Sequence, residues 1–170
     1  MRAVIRPVTF ALLVILSCVS ARSQGNSSAK EDNLYSMALF ASVAQMDKSW
    51  GHIDDSYLGG LRTDYHHTRV RKDLRITDGL PSEVDGYKVE YLDDRALADR
   101  YKALKKGFSV LEISPIQNHG AELKINITVS YLEFRKGKML FAVSDWSNVT
   151  FDYDPEGQKF VISKVELGGI

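Results

Sequence analysis

The segment formed by residues 62–72 (RTDYHHTRVRK) combines two adjacent histidines, a carboxylate and several basic side chains. Asp64 and His66 have the spacing that places two side chains on the same face of a strand. A carboxylate beside an imidazole fixes its tautomer and raises its basicity, so this pair is a candidate for acid/base catalysis. Arg69 and Arg71 disfavour a nearby metal ion and are instead candidate ligands for an anion. The simpler interpretation, which we favour, is a solvated basic surface.

A second candidate site lies in the segment 138–153 (KMLFAVSDWSNVTFDY), which has the alternating pattern of a strand. Its apolar row consists of Met139, Phe141, Val143, Val149, Phe151 and Tyr153. Asp145 and Ser147 occupy the same row, where a carboxylate is costly unless it is hydrogen-bonded or lines a cavity. One interpretation is a ligand-binding or acid/base site that contains Asp145 and Ser147. The other, which we favour, is a β-bulge that turns Asp145 outward and Trp146 inward.

Two helices are predicted to hold these segments in place. The first is capped by Asp32 and ends at Gly51. Its apolar face is expected to contain Leu34, Met37, Ala41 and Ala44, widened by Leu39, Phe40 and Val43. The second is capped by Asp93 and ends at Gly107, and its inner face is expected to contain Leu97, Tyr101 and Leu104.

The strand pattern lies mainly in the second half of the chain. A short strand is predicted at Tyr87–Leu92, and four longer ones at residues 108–116, 121–134, 138–153 and 159–167. Turns are expected at residues 118–120, 136–137 and 155–157. Residues 52–86 have no clear assignment, because Tyr65 fits a helical face with Leu58 and Leu61 but residues 65–71 also fit a strand. The predicted fold class is α+β: an N-terminal helix, a short strand, a second helix and a curved four-stranded antiparallel meander packed on the helices.

The strand at residues 121–134 contains a reversal of its apolar phase. Its first apolar row is Leu123, Ile125, Ile127 and Val129, whereas Leu132 and Phe134 belong to the opposite row. A reversal of this kind predicts a bulge or a change in which face of the sheet is covered. The polar row Asn126, Thr128 and Ser130 is a candidate homodimer surface on the outer face of the sheet.

This order of elements resembles the cystatin-like folds, and among them the nuclear-transport-factor-two-like fold. The resemblance spans residues 33–167 as an order of elements, and no family residue is carried over from it. It implies a curved sheet around a helix, with an interior that holds a ligand or an active site. Proteins with such a fold include enzymes, binding modules and dimerising scaffolds, so the fold does not select a function.

The N-terminus has the pattern of an export signal. Two arginines precede an apolar run at residues 8–16, which is shorter than the roughly 20 residues that span a bilayer. We expect a signal peptide at residues 1–21, a flexible tether at 22–31 and a single α+β domain at 32–170. The alternative is a lipoprotein with a lipid anchor at Cys18, the chain's one cysteine. An exported chain without an internal disulfide is typical of a bacterial envelope, so a periplasmic or secreted protein is expected.

The charge balance and the motifs of the chain argue against nucleic-acid binding and calcium binding. Basic and acidic side chains are equal at 22 each, which does not favour nucleic acid or an anionic membrane as a partner. The segment 152–157 matches the start of a calcium loop, but Ser163 stands where that loop needs a glutamate. We expect no cofactor.

The leading hypothesis is a non-enzymatic module that binds a small apolar or anionic ligand or another protein. The alternative is a small isomerase, dehydratase or hydrolase that uses Asp145, His66 and Asp64.

Overall fold

The computed structural model describes residues 33–50 and 64–169 of the chain. The predicted α+β class is confirmed, because two helices pack on one large sheet. The predicted signal peptide, the tether, Asp32 and Gly51 lie outside the described residues. Within the described part of the chain, neither helix has the length and apolar character needed to span a membrane.

The helices are α1 (Leu34–Trp50) and α2 (Asp94–Leu104). The strands, in chain order, are β1 (His67–Arg71), β2 (Glu83–Val84), β3 (Tyr87–Leu92), β4 (Phe108–Ile113), β5 (Gln117–His119), β6 (Glu122–Arg135), β7 (Lys138–Asp154) and β8 (Lys159–Gly169). They form an eight-stranded sheet in the order β2-β3-β1-β4-β6-β7-β8, and β5 also pairs with β6.

The four strands β4, β6, β7 and β8 pair antiparallel in that order, as predicted for a meander. The strand count and order differ in detail, because four further strands extend the sheet and make it mixed. β1 lies between β3 and β4 and runs parallel to both of them. The connection from β3 to β4 passes through α2, and such a crossover returns the chain in its starting direction. The segment without an assignment therefore contains a central strand, in which Thr68 and Val70 face the core.

Pro115 and Lys105 explain two of the other differences from the predicted elements. β4 ends at Ile113 rather than at residue 116, because Pro115 has no N–H to donate to a strand partner. α2 ends at Leu104 rather than at Gly107, and Lys105 adopts the left-handed conformation with φ of 54°. Gly107 serves a different purpose, because a Cβ at this position would overlap the ring of Tyr131.

The N-terminal caps of the two helices are asparagine and aspartate. Asn33 caps α1, since its side-chain oxygen accepts a hydrogen bond from the N–H of Tyr35 at 3.0 Å. The predicted cap of α2 is confirmed, because Asp93 accepts one from Ala96 at 2.8 Å. The buried side of α1 matches the predicted face only in part. Leu39, Phe40 and Val43 are buried as predicted, together with Ala38, Ser42 and Met46. The other residues of the predicted face are half-buried, namely Leu34, Met37, Ala41 and Ala44. Apolar residues surround most of α1, so its sequence pattern does not single out one face.

The two helices cover opposite faces of the sheet. α1 packs on a core that includes Ile125, Ile127 and Val129 of β6. A second core joins Leu97 of α2 to Leu132 of β6. Thus the reversal of apolar phase in β6 is confirmed as a change of the covered face.

A bulge in β7 lies opposite the point where the covered face changes. The register shifts between Val129 and Ser130, whose partners are Asp145 and Val143, so Ser144 is the extra residue. Val129 and Ser130 are both buried, at 1% and 0% exposed. The following hairpin turn is confirmed at Lys136–Gly137, where both residues have positive φ.

Candidate ligand-binding crevice

The carboxyl ends of the three parallel strands β1, β3 and β4 lie side by side, and α2 begins next to them. A crevice of about 750 Å³ lies at these strand ends. It is lined by residues 71–75, 93–94 and 112–113. Ligands of open α/β sheets bind in this position, because the carboxyl ends of the strands and a helix N-terminus leave polar backbone groups exposed there.

Arg71 at the end of β1 organises the floor of the crevice. Its Nε and Nη2 donate to the two carboxylate oxygens of Asp94, at 2.8 and 3.1 Å, and its Nη1 donates to Glu112 at 2.9 Å. These hydrogen bonds, first from Asp94 and then from Glu112, raise the pKa of Arg71 above its usual value. The guanidinium carbon also lies 4.9 Å from the ring centre of Phe141. The side chain is therefore a fixed cation that joins α2 to two strands.

The loop after β1 forms the rim of the crevice. Asp73 accepts hydrogen bonds from the backbone N–H of Arg75 at 2.9 Å and from its Nε at 3.4 Å, and these contacts lower the pKa of Asp73. Leu74 is 69% exposed, and Lys72 is exposed as well. The far end of the loop is held by Tyr91, whose hydroxyl donates to the carbonyl of Pro81 at 2.8 Å.

Burial raises the pKa of Tyr91 from 10.0 to about 12. The folded state therefore favours the neutral phenol, and the stability that this contributes is complete below about pH 10. It is lost as the pH rises from about 10 to about 12. We expect Tyr91→Phe to lower the free energy of unfolding by about 1 kcal/mol at neutral pH and to flatten this alkaline loss.

Thermal unfolding followed by circular dichroism across that pH range tests the Tyr91 prediction. Tyr153→Phe is the matched control, because Tyr153 is 52% exposed. An alkaline loss that is equally steep in wild type and in Tyr91→Phe would contradict the assignment to Tyr91.

Asp64 and His66 do not form the predicted side-chain pair. Asp64 accepts a hydrogen bond from the backbone N–H of His66 at 3.0 Å, and its other oxygen contacts the ring of His67 at 3.1 Å. The ring of His66 instead lies 3.3 Å from Asp47 of α1 and stacks on Tyr87, with ring centres 4.9 Å apart. The prediction assumed a strand, but the chain turns at His66 and β1 begins one residue later.

His66 lies at the end of β1 opposite the crevice. Its side chain is 57% exposed, and Tyr87 donates its hydroxyl proton to the same oxygen of Asp47 at 3.1 Å. This is a carboxylate–imidazole pair on the surface of the protein. Asp145 is not part of it, since β4 and β6 separate β1 from β7, which is about 14 Å at ordinary strand spacing.

The other predicted site residues in β7 face α1. Asp145 pairs with Val129 after the bulge, so it lies on the row that faces α1, and Trp146 lies on the opposite row. The bulge is therefore present, but the favoured interpretation, in which it turns Asp145 outward and Trp146 inward, is wrong. Both side chains are half-buried. Ser147 is fully buried, and its hydroxyl lies 2.9 Å from the hydroxyl of Ser42 in α1. The hydrogen bond of Ser147 therefore joins a helix to the sheet.

Arg69 and Ser130 lie on the face of the sheet that α2 covers. The guanidinium of Arg69 lies 5.4 Å from the ring centre of Phe108, and its Nε is buried without a hydrogen-bond partner among the described residues. Arg69 is near the crevice but does not line it. Ser130 is 0% exposed, so it is not available to a homodimer surface, whereas Asn126 and Thr128 are half-buried.

Sequence reasoning missed Asp94, Glu112 and Asp47. Glu112 had a visible signal, because it is a carboxylate within the apolar strand FSVLEI. Asp94 had none beyond its place after a helix cap. Within the described part of the chain, no group of three or more histidine, cysteine, aspartate or glutamate residues is arranged to hold a metal ion.

No protein-family model, curated protein or solved structure matches this chain. The resemblance to cystatin-like and nuclear-transport-factor-two-like folds therefore stays a prediction. The class that the fold defines is an α+β protein with a mixed sheet and a crevice at the carboxyl ends of its parallel strands.

Proposed function

We propose that this protein is an exported, non-enzymatic module that binds a small organic anion in the crevice at the ends of β1, β3 and β4. The observation that carries the proposal is the arrangement of charge in the crevice. The carboxylates of Asp73, Asp94 and Glu112 each pair with an arginine, whereas the ammonium of Lys72 has no ion pair among the described residues. The proposed export rests on the apolar run at residues 8–16.

The crevice keeps hydrogen-bond donors that its own carboxylates do not occupy. Asp94 and Glu112 accept from Arg71, and Asp73 accepts from Arg75. Asp93 is used by the cap of α2. A guanidinium has five N–H groups, and three of those of Arg71 have an acceptor among the described residues, which leaves two for a ligand. With the ammonium of Lys72, these groups favour a carboxylate or a similar anion.

The apolar side chains of the crevice favour a ligand that also has a hydrocarbon part. Leu74 is largely exposed at the rim, and Ile113 lines the wall. An exposed leucine beside a cationic group gains free energy when an alkyl chain covers it. The volume of about 750 Å³ is within the range of small-molecule sites.

Three probes with the same carbon chain test the charge of the ligand. Hexanoate carries an anion, norleucine a zwitterion and hexylamine a cation, and isothermal titration calorimetry measures the binding of each. We expect hexanoate to bind more tightly than hexylamine. Tighter binding of hexylamine would contradict the proposal.

Lys72→Glu tests the position of the site. We expect it to weaken hexanoate binding about tenfold or more, because it replaces the cation proposed to bind the carboxylate of hexanoate by a carboxylate that repels it. Lys106→Glu is the matched control, since Lys106 is also exposed but lies beyond the far end of α2. An equal loss in both variants would show that net charge, rather than the crevice, governs binding.

The alternative function, acid/base catalysis, retains one specific observation. His66 and Asp47 form a carboxylate–imidazole pair at 3.3 Å. Catalysis in the predicted form needs a second group across one pocket, and Asp145 lies three strands away. The binding function is therefore the better supported of the two.

A further inference from the structure

We propose that β8 is a self-complementary edge that pairs with β8 of a second copy of this chain, forming an antiparallel dimer across a two-fold axis. The charges on β8 indicate both the partner, which is a second copy of the same strand, and the register in which the two strands pair. This surface differs from the crevice and from the polar row on β6.

β8 is the long edge of the sheet. It has eleven residues, whereas the strand at the other edge, β2, has two. Among the described residues, β8 pairs only with β7, so its other side presents unpaired backbone N–H and C=O groups. An edge of this length is a template for another strand. The sequence of β8, KFVISKVELGG, contains no proline that would block such pairing.

The side chains near the centre of β8 separate into two rows. Lys164 and Glu166 point to one face and lie beside each other, with Nζ and Oε1 2.7 Å apart. Val165 and Leu167 point to the other face, where they are half-buried against the core on which α1 packs. A second β8 strand would extend both rows, because paired residues in a sheet point to the same face.

The charged row selects one register. In a two-fold antiparallel pair, each residue lies opposite a residue of the second copy whose side chain points to the same face of the sheet. Centred on Val165, it places Lys164 opposite Glu166 of the second copy, and Glu166 opposite Lys164, so that both cross-strand pairs are attractive. Moving the centre by one residue places either Lys164 opposite Lys164 or Glu166 opposite Glu166, which is repulsive. The bulge at Ser163 limits the regular pairing to the segment around and after Lys164.

Charge reversal on the full chain tests both the dimer and its register. Light scattering after size exclusion is expected to show a dimer for the wild type. Lys164→Glu and Glu166→Lys each create like-charge pairs, and each is expected to raise the dimer dissociation constant about tenfold. The double variant restores two attractive pairs and is expected to dimerise like the wild type. Lys124→Glu on β6 is the control, because Lys124 lies away from the edge.

Mixing the two single variants excludes an effect of the ion pair within each chain. Both single variants lose that internal pair, but a heterodimer of Lys164→Glu with Glu166→Lys has two attractive pairs between the chains. We expect the mixture to dimerise where neither variant does alone. A monomeric wild type, or a mixture no more dimeric than its components, would overturn the proposal and would leave the binding of hexanoate in the crevice unaffected.

Discussion

Replacing Leu132 by alanine is expected to lower the free energy of unfolding by about 2–5 kcal/mol. Leu132 is 0% exposed and packs with Leu97 of α2 and with Phe108 and Val110 of β4. The substitution removes buried methyl groups and leaves a cavity that the long strands cannot easily close. Chemical denaturation followed by tryptophan fluorescence measures the change.

The companion substitution on β6 is Val129→Ala, for which we expect a loss of about 1–3 kcal/mol. Val129 is 1% exposed and belongs to the α1 core, on the opposite face of the same strand. Glu133→Ala is the control, because its ion pair with Arg135 is on the surface and contributes at most about 1 kcal/mol. A negligible effect of either core substitution would contradict the conclusion that β6 is covered by α1 on one face and by α2 on the other.

Replacing Arg71 by alanine is expected to abolish measurable hexanoate binding and to lower the free energy of unfolding by about 1–2 kcal/mol. Its guanidinium separates the carboxylates of Asp94 and Glu112. Without it, two unpaired carboxylates line the floor of the crevice and repel an anion. The stability change is smaller than for a fully buried pair, because the side chain of Arg71 is 36% exposed.

Arg100→Ala is the matched control for Arg71. Arg100 also joins α2 to the sheet, through Glu90, and its side chain is 35% exposed, but it does not line the crevice. We expect a similar or smaller loss of stability with unchanged hexanoate binding, measured by calorimetry. If Arg71→Ala bound hexanoate as tightly as Arg100→Ala, the floor of the crevice would have no part in binding.

Local features of the fold were predictable from the sequence. The Asp93 cap and the Lys136–Gly137 turn each depend on a few neighbouring residues with strong conformational preferences. The change of covered face in β6 was visible because a strand has a period of two, and a reversal of that period has few physical causes.

The site was less predictable, because its parts are distant along the chain. Arg71 is 23 residues from Asp94 and 41 residues from Glu112. They meet because β1 lies between β3 and β4, and a period-two pattern does not say which strands will pair in parallel. Arg71 was a predicted ligand-binding residue, but its partners were not predicted, and the carboxylate of Asp64 pairs with His67 rather than His66.

A titration of the ¹⁵N-labelled protein with hexanoate, followed by amide NMR spectra, tests the central claim most directly. The crevice predicts that the largest shifts occur at residues 72–75, 93–94 and 112–113, where the loop, the start of α2 and the end of β4 meet. Shifts centred instead on Ser147 or His66, or no shifts at millimolar hexanoate, would contradict a binding site at the carboxyl ends of the parallel strands.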